Sequence, residues 1–499
     1  MRLTLKRKGL KVGVMTEEMI ERIPFHATGT AFAGQRVHFI GIGGCGMRGL
    51  AALLMREGAV VSGSDRQSSP QTDWLASLGA QMAIGQRAEN LPENIDRVVI
   101  SAAIKDENPE LMAARERGLS VVKYAGLLGE AMRCRVGVAI SGTHGKSTTS
   151  ALVAYMLTLA GLDPSYVVGG DVPQLGGGSR AGGGPHFVAE SCEFDRSFLS
   201  LFPRIAAILN VEMDHLDCYD DLAAIQASFA AFAALVPADG RLIVNAEDRN
   251  IRPVIEGLSA PIETFGIDDE KADWRAVNVT AVRGRGRFEI MYHGQRFGVG
   301  QMRLPGRHNV MNALAAAALA HHAGADRDAI LRAMATFSGV GRRMELKGIS
   351  HGITVVDDYA HHPTEIRASL RAIRDAYEPD RLWVVFQPHQ HSRTRFLLAD
   401  FAQSFGAADT VLVPDIYFVR DSESEKQAVS SGDLVSEIRR AGGNAQYLES
   451  FDEIMDRLSA DLRPGDCLVT MGAGSVYEIA DRLLMRLGQL ASAAGAAGK

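Results

Sequence analysis

The chain has 499 residues, 46% hydrophobic, 22% charged and 6% aromatic, with 53 basic against 59 acidic side chains and a formal net charge of -6. That length suits about three domains of roughly 150 residues, and the composition excludes a disordered, collagen-like or coiled-coil chain. The charge balance excludes binding to nucleic acid through bulk charge. Five scattered cysteines (Cys45, Cys134, Cys192, Cys218, Cys467) with no CxxC pair exclude a disulfide framework and a zinc ribbon. No apolar run is long enough to span a bilayer, so no membrane insertion is expected. The basic start MRLTLKRKGLKVGV lacks the apolar stretch of a secretory signal, and the expected location is the cytoplasm.

Residues 1–33 read as an extension. RVHFI is then a strand, GIGGCGM a turn, MRGLAALLMREG a helix and VVSGSD a second strand, with DRVVISAAI a further strand. Strand, glycine turn, helix and strand make a βαβ unit of a parallel sheet, and a Rossmann-like domain is expected over 34–135. VGVAI opens a second α/β unit over 136–337 and runs into SGTHGKSTTSALVAYMLTLAG. In that unit LGGGSRAGGGP (175–185) reads as a mobile surface loop, and HFVAE and RIAAILN as buried strands. The alternating stretch 274–299, with a central Gly-Arg-Gly, reads as a β-hairpin, and HNVMNALAAAALAHHAG as a helix. A third unit over 338–488 has four strand-like runs, ITVVDDYA, LWVVFQPH, TVLVPDIY and CLVTMGAG. Residues 489–499 read as a fraying tail. The fold class expected is α/β in three domains: an N-terminal Rossmann-like domain, a central parallel sheet of the P-loop ATPase type, and a C-terminal Rossmann-like domain.

Two glycine-rich loops carry the chemistry. Gly41, Gly43, Gly44 and Gly46, ending at Met47, lie between a strand and a helix, where backbone and helix N-terminus can approach phosphate. Asp65, at the end of the next strand, stands where a ribose partner of a dinucleotide would be. NAD and a different diphosphate such as a UDP-sugar both fit this loop. The second loop, Ser141-Gly142-Thr143-His144-Gly145-Lys146-Ser147-Thr148, is the stronger signal for a nucleoside triphosphate. Its glycines permit a phosphate cradle, Lys146 reaches the β and γ phosphates, and the Ser147 hydroxyl is a Mg²⁺ ligand. It departs from the usual pattern in having Ile140 where a glycine is common. Acids follow the next two strands: Glu190, Glu193 and Asp195, then Glu212, Asp214, His215 and Asp217. Cys192, His215 and Cys218 lack a fourth ligand at zinc spacing.

The segments HFIGIGGCGMRGLA, GTHGKSTT, LPGRHNVMNALAA, GVGRRME, DDYAHHPTEI and FQPHQHSRTR resemble, in order, the signatures of the Mur ligase family of peptidoglycan synthesis. The resemblance runs from about Arg36 to Leu487. It implies an ATP-dependent ligase that joins L-alanine to the lactyl carboxylate of UDP-N-acetylmuramate through an acyl phosphate. It implies ATP and Mg²⁺, or Mn²⁺ in its place, with the first loop holding UDP instead of NAD. The catalytic residues it implies are Lys146, Glu190 and His215, with Ser147, Glu190 and His215 as metal ligands. ATP would be held by Gly142, Thr143, His144, Gly145, Lys146, Ser147, Thr148, His308, Asn309, Arg343 (or Arg342) and Asp358. The UDP-sugar would meet Gly41, Gly43, Gly44, Gly46, Met47, Asp65, Glu193 and Asp195. The amino acid would meet Tyr359, His361, His389 and Arg393.

The sequence departs from the family at Gln390, where an arginine often follows the histidine, at Ser191 and Cys192 in the acidic stretch, and at Ser475, where aspartate is commoner. Gln390 removes a charge-assisted contact to an amino-acid carboxylate. The alternatives are a related ligase that attaches a whole tripeptide, an NAD-dependent oxidoreductase built on the first loop, and a non-catalytic sensor of ATP or UDP-sugar.

Overall fold

The structure, a computed structural model, describes residues 32–497 other than 102, 215–217, 283 and 420. The expected extension lies outside the described residues except for its last two, and so does His215.

β1 (Arg36–Ile40) is the middle of a five-stranded parallel sheet whose strands run in the order 3-2-1-4-5. α1 (Cys45–Arg56) crosses from it to β2 (Val60–Asp65). Two strands absent from the sequence reading, Gln81–Ile84 and Ser120–Lys123, form the sheet edges. Each has four residues and no fully buried one, so the apolar signal is weak.

In the central unit β3 (Val136–Ser141) is buried at every position, as a strand covered on both faces should be. It leads into α2 (Lys146–Leu159) and is flanked, in parallel, by β4 (His186–Glu190) and β5 (Ile205–Ile208). The stretch read as one hairpin is three strands, Trp274–Val282, Arg285–Tyr292 and Gln295–Met302, antiparallel to one another, the first of which joins the ten-stranded sheet in parallel. A second turn at His293 and Gly294, both at positive φ, separates the last two. The 175–185 segment is not a loose loop. Ser179–Arg180 pairs with the strand Ser165–Val167, and α1 lies so close that a Cβ on Gly49 would stand 2.7 Å from the Ser179 Cβ. α3 (Arg307–His322) packs on α2 through the buried run Ala313–Ala320.

The third unit has six strands in the order 1-2-6-3-4-5. β6 (Ile353–Asp358) leads to α4 (Pro363–Tyr377), β7 (Leu382–Phe386) to α5 (His391–Phe396), and β8 (Cys467–Met471) lies between β6 and β7. The strands Glu345–Ser350, an antiparallel edge, and Ala445–Tyr447 add to the four expected. The last helix, Tyr477–Ala497, continues through most of the segment expected to fray.

One apolar core spans the first and central units, joining Phe39, Leu50 and Leu128 to Phe187, Phe198 and Phe229. Phe198 anchors it, with ring centroids 4.9 Å from Phe232 and 5.3 Å from Phe229. Phe198→Ala is expected to lower unfolding free energy by about 3–5 kcal/mol, read from the midpoint of a denaturant titration.

Candidate active site

The P-loop follows β3, at the carboxyl end of the sheet where its order reverses and α/β proteins bind ligands. Gly145 precedes α2 with φ 82°, and a Cβ there would stand 2.5 Å from Asn312 Oδ1. No other residue fits that bend without displacing α3. α2 begins at Lys146 without a side-chain cap, so its first amides face an incoming anion. The amides of Thr143 and His144 do not join that cradle: they donate to Asn210 O (3.0 Å) and Asn210 Oδ1 (2.7 Å). Asn210 Nδ2 in turn donates to His144 O, which locks the loop to the end of β5.

Lys146 Nζ donates to Gly142 O (2.5 Å), Thr143 O (3.0 Å) and Glu193 Oε1 (3.1 Å). Burial alone would favour the neutral amine, but Glu193 foremost and Glu190 hold the ammonium charged and its pKa above the ordinary lysine value. Ser147 Oγ donates to Glu190 Oε1 at 3.1 Å, and Gly169 N–H to Glu190 Oε2 at 2.7 Å. These two oxygens, adjacent and rigidly held, suit a hard divalent cation. Glu193 and Asp195, read together as sugar contacts, part company. Asp195 and Arg196 both have φ 52°, and the turn they make sends Glu193 to Lys146 and Asp195 to Lys123 of the first unit, 2.6 Å away.

A cleft of about 290 Å³ opens beside the P-loop. His144, Gly145 and Thr148 form one wall, His308 and Asn309 of α3 another, and Arg343 and Asp358 of the third unit close it. Phe265, Leu304 and Met311 give it an apolar side fit for a flat heterocycle. Burial pushes His308 down to about 4, so it stands neutral. Asp358 is raised to about 6, by burial against the opposing pull of Ser369 and Arg343. The structure separates the two adjacent arginines. Arg342, at φ 59°, turns inward to Asp357 Oδ2 (3.0 Å) and Gly472 O (2.7 Å), whereas Arg343 lines the cleft.

The four residues read as amino-acid contacts converge at the seam between the central and third units. Ring centroids lie 5.3 Å apart for Tyr359 and His361 and 6.2 Å apart for His361 and His389. Arg393 places Nη1 3.4 Å from His389 Nδ1, while its Nη2 and Nε donate to Asp214 Oδ1 of the central unit at 3.0 and 3.2 Å. Both partners of that ion pair are buried. Gln390 opens α5 at φ 71°, held there by its N–H on Tyr417 O and by Thr394 on its carbonyl, a strained backbone of the kind found at binding sites.

At the first loop, Gly41 and Ile42 donate to Ser64 O, and Gly44 opens α1. A Cβ on Gly46 would meet the Tyr124 hydroxyl. Asp65 accepts from Gly43 N–H (2.8 Å) and Arg66 N–H (2.7 Å). Its carboxylate therefore shapes the loop, which removes the specific support for a dinucleotide. The Met47 side chain is buried in the core, so only its backbone faces a ligand. Beneath the loop lies a carboxylate the sequence reading missed. Glu110 accepts from His38 Nε2, Ser64 Oγ, Asn90 Nδ2 and Arg87 N–H, and tethers the chain around residues 87–90. Asn210, Asn312 and Glu365 were also missed. Of these, Asn312 had a signal, three residues beyond Asn309 on one helix face.

Among the described residues, His144, Glu212 and His362 form the one group with ligand atoms close enough, within 4.8 Å, to hold a metal. They do not suit one. His362 accepts from Thr364 N–H at Nδ1 and lies 3.2 Å from the Met213 carbonyl at Nε2, so neither nitrogen has a free lone pair.

Comparison with known proteins gives three matches in order: "Mur ligase family, catalytic domain" over residues 36–135, "Mur ligase middle domain" over 140–320, and "Mur ligase, glutamate ligase domain" over 342–474. The chain belongs to the Mur ligase family. The UDP-N-acetylmuramate–L-alanine ligase of Caldanaerobacter subterraneus is 43% identical over 90% of this chain and 97% of its own, and that of Clostridium novyi 44% over 90% and 97%. Among solved Mur ligases, the UDP-N-acetylmuramate–alanine ligase of Thermotoga maritima superposes with a TM-score of 0.77 at 27% identity, covering 91% of this chain and 99% of that one. A murein peptide ligase of Psychrobacter arcticus gives 0.68 at 28%, with the same coverage. No helix among the described residues is long and apolar enough to cross a membrane.

His144 ties pH to the stability of this Mur ligase. Burial disfavours its charge, but Glu365 and Glu212 raise its pKa from 6.5 to about 10. Its contribution is complete below about pH 6.5 and is lost as pH rises through about 10. Unfolding midpoints are expected to fall across that range, and to fall less in His144→Gln.

Proposed function

We propose that this chain joins the amine of L-alanine to the lactyl carboxylate of UDP-N-acetylmuramate, with ATP converted to ADP and phosphate, in the making of peptidoglycan precursors. The convergence of Lys146, Ser147 and Glu190 beside a cleft closed by the third lobe carries this reading, and the relatives' names support it. The lobes are taken as 34–135 for the sugar nucleotide, 136–337 for ATP and 338–488 for the amino acid. A cytoplasmic reaction fits the demand for ATP and the free cysteines.

The chemical difficulty is to bring a carboxylate against a γ-phosphate when both are anions. Lys146 leaves Glu193 and the loop carbonyls for the phosphates, and the start of α2 supplies amides. Ser147 and Glu190, with His215 by family resemblance, would hold Mg²⁺, which when bound screens the charge between the two reactants. A carboxylate oxygen of the sugar attacks the γ-phosphorus and ADP leaves. The alanine nitrogen then attacks the acyl carbon and phosphate departs. Asn309, Asn312 and the apolar wall position the base, Arg343 and Asp358 close on the nucleotide, and Arg393 with His361, His389 and Tyr359 orients alanine. Gln390 leaves Arg393 as the charged group there.

The test is phosphate release by purified protein with ATP, Mg²⁺, UDP-N-acetylmuramate and alanine, glycine, serine or the tripeptide in turn. Release is expected with L-alanine and only when the sugar nucleotide is present. Release only with the tripeptide would transfer the chain to the recycling reaction. Lys146→Ala is expected to lower turnover by about a thousandfold or more, while calorimetry shows UDP-N-acetylmuramate bound within about twofold of native affinity. Loss of sugar-nucleotide binding in the folded variant would overturn the division between lobes.

A further inference from the structure

His144 lies on the seam between the central and third lobes. Its Nδ1 is 3.2 Å from Glu365 Oε1, and its Nε2 is 3.5 Å from Glu212 Oε2. A neutral imidazole carries a hydrogen on one nitrogen and a lone pair on the other. Here a lone pair on Nδ1 would face Glu365 at hydrogen-bond distance and one on Nε2 would lie near Glu212, so the two carboxylates favour the doubly protonated, cationic ring. Burial works against that charge, yet the two carboxylates outweigh it and bring the ring to about 10.

The neighbouring histidines leave the imidazolium charge to His144. His362 packs on it with centroids 4.8 Å apart but is kept neutral, lowered by burial and then by His144 itself. His361 lies 3.4 Å from Glu365 and is pushed by burial down to about 3. Arg343 Nη1 lies 3.9 Å from Glu365 Oε1, the oxygen that faces His144, and Thr364 donates to Glu212 Oε2 at 2.7 Å. Glu365 itself is held well below the usual carboxylate range: burial opposes this, and the charges of His144 and Arg343 prevail.

Each half of the contact is set by its own lobe. Glu365 Oε2 accepts the N–H groups of His361 (3.0 Å) and His362 (3.3 Å), closing the capping box of α4 and leaving Oε1 to project across the seam. His144 is fixed through its backbone by Asn210. Docking the third lobe is what brings the two together.

We propose that Glu365 is a positioning residue of the nucleotide site: when the third lobe docks, its carboxylate holds the P-loop histidine as a cation at the edge of the cleft, so that lobe closure and triphosphate binding reinforce each other. The inference rests on the ATP reading given above. In this arrangement His144 is set for the triphosphate only in the closed form, and an open enzyme presents a weaker cradle. Glu212 shares the task from the central lobe.

Glu365→Gln tests it, because a glutamine oxygen still accepts the two capping amides while the charge is lost. With histidine ring nitrogens labelled with ¹⁵N and His144 assigned through His144→Gln, the nucleotide-free native chain is expected to show both His144 nitrogens protonated at about pH 8, and Glu365→Gln a ring titrating near the ordinary value, about 6.5. The native-to-variant ratio of affinities for a non-hydrolysable ATP analogue is expected to open from near one at about pH 6 to about tenfold at about pH 8. Glu212→Gln should move both readouts in the same direction. A neutral His144 in the native chain at pH 8, or a ratio that does not change with pH, overturns the proposal. The ring measurement needs no nucleotide, so it decides the point even if the native chain binds no ATP analogue, a result that would sink the function reading instead.

Discussion

A positive charge buried at the carboxyl end of β3 is the condition on which the rest of this site is built. Lys146 is inside the protein, where an ammonium is costly, and it persists there because Glu193 and two loop carbonyls surround it. The same crowding puts Glu190 beside Ser147. Carboxylates that stabilise a lysine in the empty loop are also those a divalent cation would draw on once phosphates arrive. The strands that carry them, β3, β4 and β5, are adjacent and parallel, so their ends meet at one point by topology alone.

The third lobe approaches that point with ionic and polar groups. Glu365 meets His144, Thr364 meets Glu212, and Arg393 meets Asp214. The last pair is buried and charge-matched; removing one member would strand the other in a dry site. Under the proposed function Arg393 would receive the amino-acid carboxylate, and Asp214 is the partner that carboxylate would compete with. The first lobe uses a similar device: Asp65 fills the amide of Gly43.

Both glycine-rich loops and most strands were legible in the sequence because their signatures are local: a turn, a phosphate-binding lysine, an apolar run of four or five residues. What escaped reading is what distance hides. Glu365 is 221 residues from His144, and nothing short of the fold brings them together. Arg342 and Arg343 are indistinguishable as letters; a left-handed backbone at Arg342 turns one inward and leaves the other at the cleft. The glycine run 175–185 suggested slack, yet Gly178, Gly182 and Gly184 lie against backbone at Gly170 and 162–164, and α1 presses its own Gly49 on Ser179. Asn210 was passed over as the polar end of a strand, although its side chain locks the P-loop.

The two seams of the molecule differ in what wets them. A continuous apolar core runs from the first lobe into the central one, whereas the third lobe's own apolar clusters contain none of the central lobe's residues and Val340, at its start, joins the central core. Parting the first seam would expose stacked phenylalanines to solvent; parting the second would hydrate ionic groups, the buried Arg393–Asp214 pair among them. The first seam is therefore the more apolar of the two. Salt in the medium weakens the more exposed ionic contacts of the second seam and leaves the apolar first seam fastened.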